Sequence, residues 1–221
     1  MSKIVCDSGP LISFSSTCLV KVLRFLSHKG GEFLIPRAVE SEIVLKPINV
    51  SRYAFSALRL RKSIEDGDLE IVNVDQSLVD SIVHYANSSF SIRGKQLRLL
   101  HSGEAACLAV YKQFKCDALA IDEKTTRLMV EDPALLQENI SLAYNARVMV
   151  NQKAISEFTN LVGKVNVIRS SELLVAAARR GYFDSFGSDA EPAFHAAIYS
   201  LKNAGCGLSE KEVQDYQVVK L

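Results

Sequence analysis

Short apolar runs that stop at a carboxylate recur along this chain. Ile4-Val5-Cys6 gives way to Asp7-Ser8-Gly9-Pro10, which predicts a buried strand turning straight into a helix with Pro in its first turn. Helical spacing continues to about Leu26. Gly30-Gly31 break the chain, Phe33-Leu34-Ile35 predicts a second strand, and Pro36 opens a helix carrying Val39, Glu42 and Ile43. From Ser51 to Ile64 the apolar Tyr53, Phe55, Leu58 and Leu60 sit among Arg52, Arg59, Arg61 and Lys62. That is an amphipathic helix with a solvated basic face, ended by Asp66-Gly67.

Leu69 to Val74 alternates as a third strand, Ser77 to Ala86 is helical by spacing, and the polar, basic stretch Asn87 to Arg98 reads as a loop. Ser102-Gly103-Glu104 followed by an apolar run to Val110 predicts a helix with Ser102 as N-cap, ending near Cys116. Ala118 to Ile121 is a strand running into Asp122-Glu123, and Lys124 to Val130 is helical. Asp132 to Val162 is mixed and helical in places, ahead of a last strand at Val165 to Ile168. Three helices follow, over Glu172 to Arg180 with Ser171 as N-cap, Pro192 to Lys202, and Ser209 to Val218. Strands alternating with helices predict an α/β fold, a three-layer α/β/α sandwich around a central, mostly parallel sheet of four to five strands. In such sheets ligands bind beyond the carboxyl ends of the strands, where strand order reverses. Asp7 and Asp122 both fall at those ends.

Composition narrows the function. The 221 residues suffice for one sizeable core, and 26 Lys+Arg against 25 Asp+Glu leave a formal charge of +1, so contact with nucleic acid has to be local. Five cysteines without a C-x-x-C pair argue against a disulfide framework and a zinc site and read as small buried hydrophobes in a reducing compartment. No stretch approaches ~18 apolar residues and the start does not read as a signal peptide, so a cytoplasmic protein without membrane association is expected.

Each acid alone has a plain explanation, since a carboxylate at a strand end or in a first helical turn caps free N–H groups and complements the helix dipole for roughly 0.3–1 kcal/mol. Glu42 alone is most simply a solvated helix residue. Jointly, Asp7, Glu42, Glu104 and Asp122 would converge on one edge of the sheet, where four carboxylates repel unless a cation joins them. An all-oxygen set suits Mg²⁺ or Mn²⁺ rather than Zn²⁺. Other chemistries fit less well. Gly30-Gly31 and Gly205-Cys206-Gly207 lack phosphate-loop spacing, no Gly-x-Ser-x-Gly elbow is present, and His28, His84, His101 and His195 are scattered, with His101 reading as a helix-start residue.

These residues resemble the motifs of PIN domains. Ile4 to Ile12 is similar to the opening strand-Asp-turn. Phe33-Leu34-Ile35-Pro36-Arg37-Ala38-Val39-Glu40-Ser41-Glu42-Ile43 resembles the second motif, with Glu42 rather than Glu40 in the site. Gly103-Glu104-Ala105-Ala106 resembles the third, and Ala120-Ile121-Asp122-Glu123-Lys124 the fourth. Ser171 to Gly181 and the helices after it resemble the C-terminal extension of a VapC-like prokaryotic subgroup. The resemblance divides the chain into a catalytic unit over residues 1–170, with an inserted segment near 132–163, and a helical extension over 171–221 packed on it.

The resemblance implies a metal-dependent ribonuclease that leaves a 5′-phosphate and a 3′-hydroxyl. Asp7, Glu104 and Asp122 would hold Mg²⁺ or Mn²⁺, Glu42 would complete the shell or position water, and Ser8 and Glu123 would support. Arg37, Lys124 and Arg127 are candidates for phosphate contact, with a surface salt bridge as the competing reading. A homodimer and an antitoxin partner are further implications, since relatives of this size include toxins of toxin-antitoxin pairs as well as RNA-processing enzymes. Two readings compete: a PIN-like binding module without chemistry, and a phospho-acceptor receiver domain, for which Asp75 and Lys124 are a poor match.

Overall fold

The computed structural model describes residues 2–218; Met1 and residues 219–221, at the two ends of the expected units, lie outside the described residues. In chain order β1 (Ser2–Cys6) leads to α1 (Ser8–Ser16) and α2 (Lys21–His28), β2 (Gly31–Pro36) to α3 (Arg37–Glu40) and α4 (Ser51–Glu65), and β3 (Glu70–Val72) to α5 (Gln76–Asn87). A hairpin of β4 (Phe90–Ile92) and β5 (Lys95–Gln96) precedes α6 (Ser102–Gln113), β6 (Ala118–Ala120), α7 (Lys124–Glu131) and α8 (Pro133–Tyr144). Next come β7 (Val148–Val150), α9 (Gln152–Val162), β8 (Val167–Ile168), α10 (Ser170–Ala178), α11 (Ala190–Asn203) and α12 (Glu210–Gln217).

The central sheet has the order β3-β2-β1-β6-β8, with every neighbouring pair parallel. Val5, Cys6, Leu34, Ile35, Leu119 and Ala120 are buried, which explains why these strands read as unbroken apolar runs: both sheet faces are covered. Burial of each large aliphatic side chain contributes roughly 1.5–3 kcal/mol. Helices α1, α2, α4 and α10 pack together on one face, while α6 lies on β1, β2 and β6 with α5 and α9 behind it. The small residues Ala105, Ala106, Cys107 and Ala109, all buried, let α6 approach the sheet closely. Chain order runs outward from β1 through β2 to β3 on one side and through β6 to β8 on the other. The reversal therefore falls between β1 and β6, the strands that end at Asp7 and Asp122.

Three local expectations change. The helix expected to run to Leu26 is two helices, α1 and α2, crossing at 113° after Cys18 takes a left-handed φ of 64°. Phe14, before the bend, and Val22 and Leu23, after it, are all buried, so tertiary packing outweighs the helical period. The stretch read as a loop from Asn87 contains β4 and β5, joined by a two-residue turn with Arg93 at φ 50° and Gly94 at φ 77°, as a tight hairpin requires. Strand β4 also pairs antiparallel with β7, Phe90 opposite Val150 and Ile92 opposite Val148, giving a second, three-stranded sheet. Finally, α6 begins at Ser102 with His101 as its N-cap, and α10 begins at Ser170 with Arg169 as N-cap, one and two residues earlier than Ser102 and Ser171 as caps would place them. Among the described residues no single helix is long and apolar enough to cross a membrane.

Candidate active site

Asp7 leaves β1 at the strand-order reversal, its backbone N–H donating to Ala120 O at 2.9 Å. It is the N-cap of α1: Oδ2 accepts from Gly9 N at 3.4 Å, and the Ser8 amide also serves the carboxyl. Ser8, expected to help through its hydroxyl, thus contributes its backbone. The side chain of Asp7 is 5% exposed. Burial, with Glu104 and Glu42 in electrostatic reach, raises its carboxyl from 3.8 to about 7, against the amides that lower it. Beneath it, Cys107 Sγ lies 3.9 Å from Oδ1 and 3.7 Å from Cys6 O. Burial, and then the Asp7 charge, push the Cys107 thiol well above its ordinary value, so it stays protonated.

Glu42 sits in a π-helical turn, Ser41–Leu45, closed by Lys46 N donating to Ser41 O at 3.0 Å. Such insertions re-aim one side chain in a helix and are frequent at functional sites. The Glu42 carboxylate lies against Gly103 so closely that a Cβ there would meet Oε1 at 2.8 Å. Gly103 directly precedes Glu104, whose Oε2 accepts from His101 N at 2.9 Å. His101 is accordingly the helix-start residue expected of it. The approach to α6 is fixed by Asn87, whose Oδ1 accepts from Leu99 N (2.7 Å) and Leu100 N (2.9 Å) while Nδ2 donates to Leu100 O (3.0 Å).

Asp122, 7% exposed, lies on the other side of Gly9: a Cβ on Gly9 would stand 3.6 Å from Asp122 Cβ and 3.7 Å from Asp7 Oδ2. Its carboxylate is surrounded by donors. Oδ1 accepts from Ser170 N at 2.9 Å and faces Cys206 Sγ at 3.5 Å, and Oδ2 accepts from Ser170 Oγ at 2.9 Å and Ser13 Oγ at 3.4 Å. Burial raises its carboxyl, and these four contacts lower it in part. Asp122 therefore ties the end of β6 to the start of α10 and to the turn around Cys206.

The structure brings Glu42 and Glu104 within electrostatic reach of Asp7, while Asp122 is adjacent and engaged with its own donors. Among the described residues no group of three or more His, Cys, Asp or Glu side chains is arranged to hold a metal ion. The donor chemistry nevertheless fits a hard divalent cation, because a carboxyl raised by burial first, and then by Glu104 and Glu42, is what a bound cation would relieve. Glu123 is the N-cap of α7, accepting from Thr125 N (2.8 Å) and Thr126 N (2.5 Å). Arg37 donates to Asn73 Oδ1 at 2.8 Å and lines a cleft with Ser102 at the start of α6. Lys124 reaches Asn139 Oδ1 at 3.4 Å. Arg127 faces a polar cleft with Arg169 and Glu212, toward the C-terminal helices. Asp75 is an exposed N-cap of α5 that bonds Ser77 N at 2.9 Å, not a buried acceptor.

Sequence reasoning missed Ser13, Ser170 and Cys206. Ser170 had a readable signal, since it follows the last parallel strand as Asp7 and Asp122 follow theirs, and Ile121 N bonds Ile168 O at 2.8 Å beside it. Cys206 lies between two glycines, and a Cβ on Gly207 would stand 3.6 Å from Asp122 O, so that turn packs against the site. No linear pattern marks Ser13.

A family model described as a PIN domain matches residues 3–135, a span that contains all four acids. No curated protein and no solved structure matches the chain. PIN domains are generally nucleases and typically use divalent metals. With the match covering more than half of its length, this chain belongs to the PIN domain family.

Proposed function

We propose that the protein is a metal-dependent ribonuclease, with Asp7, Glu42, Glu104 and Asp122 as its working carboxylates. The observation that carries the reading is the state of Asp7: a capping carboxylate, nearly sealed from water at the strand-order reversal, raised to about 7 with Glu104 and Glu42 contributing. Burying that carboxylate beside like charges costs stability when it is ionised, a cost that a bound cation would offset. Asp7 and Glu104 are the oxygen donors for Mg²⁺ or Mn²⁺, Glu42 completes the set from its π-turn, and Asp122, oriented by Ser170 and Ser13, adds charge at the β6 end. When bound, such an ion lowers the pKa of water and offsets charge on a phosphodiester. Gly103 keeps the Glu42 carboxylate and the start of α6 in contact. Arg37, beside the start of α6, is the cation best placed for a phosphate; Lys124 and Arg127 point elsewhere.

In this reading residues 1–170 are the catalytic unit, the segment near 132–163 supplies the strand that completes the small second sheet, and residues 171–221 are an extension fastened where Cys206 meets Asp122 and Glu212 meets Arg169. A VapC-like cytoplasmic toxin blocked by an antitoxin, working as a homodimer, and an RNA-processing enzyme are both compatible with that site. The test is calorimetric titration of Mn²⁺ into the wild type and Asp7→Asn, followed by cleavage of single-stranded RNA by both. Binding and cleavage by the wild type, both lost in the variant, support the proposal. If neither folded protein binds the ion, the acids are structural, and a PIN-like module that binds nucleic acid or protein without chemistry takes its place.

A further inference from the structure

We propose that the outer face of α4, together with the groove between α4 and α2, is a track for a single strand of RNA leading to the carboxylate site. The proposal rests on the nuclease reading for its ligand class. From Leu45 to Arg59 the chain carries Lys46, Arg52 and Arg59 and no acid, although the whole protein is almost neutral at +1. This segment begins where the π-turn bearing Glu42 ends, and α4 packs against both that turn and α1, the helix capped by Asp7. The cationic run thus starts beside the turn that carries Glu42 and extends along α4 to the far end of α1, where Arg59 meets Ser15.

The basic face is exposed to water, as the sequence pattern predicts, and it carries exposed aromatic rings as well. Phe55 is 72% exposed and Tyr53 51%, with the Arg59 guanidinium 5.5 Å from the Phe55 ring and that of Arg52 5.5 Å from the Tyr53 ring. Arg59 is held in place by donating to Ser15 O at 2.6 Å. Alongside runs a groove of about 330 Å³ lined by Phe55, Leu58 and the cations Lys21, Arg24, Arg59 and Lys62, with Asp66 and the buried Asp68 also in its wall. Asp66, in that groove, engages Arg24 and Lys62. Among the described residues Lys21, Lys46, Arg52 and Arg59 have no carboxylate partner. Exposed aromatics interleaved with unpaired cations match a single-stranded polyanion, whose phosphates follow the charges while its unpaired bases stack. A duplex keeps its bases out of reach and would gain the charge alone.

The test is fluorescence anisotropy with a short labelled single-stranded RNA in EDTA, so that no cleavage intervenes, using wild type, Phe55→Ala, the double variant Lys21→Ala/Arg52→Ala, and Lys153→Ala as a control away from this face. Each substituted α4 or α2 side chain is exposed, so folding is retained. Phe55→Ala is expected to weaken binding ~10-fold, and the double variant to flatten the slope of log K against log salt by about 0.7 for each phosphate no longer neutralised. Lys153→Ala, exposed on α9 behind α6, should bind as the wild type does. A wild type that never cuts RNA while the α4 variants still lose affinity would leave the track standing and remove the nuclease reading. The track is overturned if Phe55→Ala binds as the wild type does, or if duplex RNA competes as well as single-stranded RNA. It is equally overturned if Phe55→Ala only converts a dimer to a monomer in light scattering, which would make this face a contact between copies of the chain.

Discussion

Replacing Asp7 with Asn should make the metal-free protein more stable at pH 8. The gap between the ordinary 3.8 and about 7 for the Asp7 carboxyl is worth roughly 4 kcal/mol at about 1.4 kcal/mol per pH unit. Because the folded protein holds the proton to higher pH than the unfolded chain does, it binds more protons between about pH 4 and pH 7, and its stability falls as pH rises through that window. Above it the penalty is complete; below pH 4 the group is protonated in both states and the penalty is gone. Asn removes the titration and keeps a capping oxygen, and the two residues are equally good N-caps. With relaxation around the ionised carboxylate, a gain of roughly 2–4 kcal/mol is expected at pH 8. For a chain of this size that is on the order of 10 °C in melting temperature. The assay is urea or thermal denaturation of both proteins in EDTA from pH 4.5 to pH 8.5. Comparing them cancels the titrating groups that do not interact with Asp7, leaving Asp7 and its coupling to Glu104 and Glu42. A difference that does not change with pH, or a wild type more stable than the variant at pH 8, refutes the argument that burial and the neighbouring acids hold Asp7 under strain. Added Mn²⁺ should stabilise the wild type alone.

Further outcomes follow from single contacts. Gly103→Ala places a methyl where the Glu42 carboxylate lies; the side chain, being flexible, swings aside, so circular dichroism and melting stay near wild type while cleavage of RNA drops at least ~10-fold. Ser170→Ala removes the 2.9 Å hydroxyl bond to a buried carboxylate and is expected to cost about 1.5–3 kcal/mol in denaturant titration at pH 8, a loss that shrinks as acid protonates Asp122. Asn87→Ala removes three part-buried hydrogen bonds to the segment before α6; a loss of about 2–3 kcal/mol is expected, with faster hydrogen exchange at Leu99 and Leu100. Exchange unchanged at those amides would show that the segment is held by its apolar contacts instead.

The strands that carry the site were legible in the sequence because both their faces are buried. Ile4-Val5-Cys6, Phe33-Leu34-Ile35 and Ala118-Leu119-Ala120 could hardly be anything but core strands, and the acids or helix starts that follow them mark one sheet edge in one dimension. Crossover handedness predicts a doubly wound sheet, but the strand order that sets β1 beside β6, and so Asp7 beside Asp122, is found only in the tertiary structure. What the sequence could not carry is whatever depends on partners far along the chain. Strand β4 is three residues set in a polar stretch and recognisable only through its pairing with β7. The bend at Cys18 exists because Phe14 and Leu23 must reach the same core, which a local period cannot express. Asp122, which reads as an open ligand, is enclosed by Ser13, Ser170 and Cys206, residues from three distant elements. Local pattern determined which residues sit at the strand ends, because burial imposes it at every position; only the tertiary structure decided which of those carboxylates are held by the protein's own donors and which face one another, because hydrogen bonds and like-charge repulsion act across space rather than along the chain.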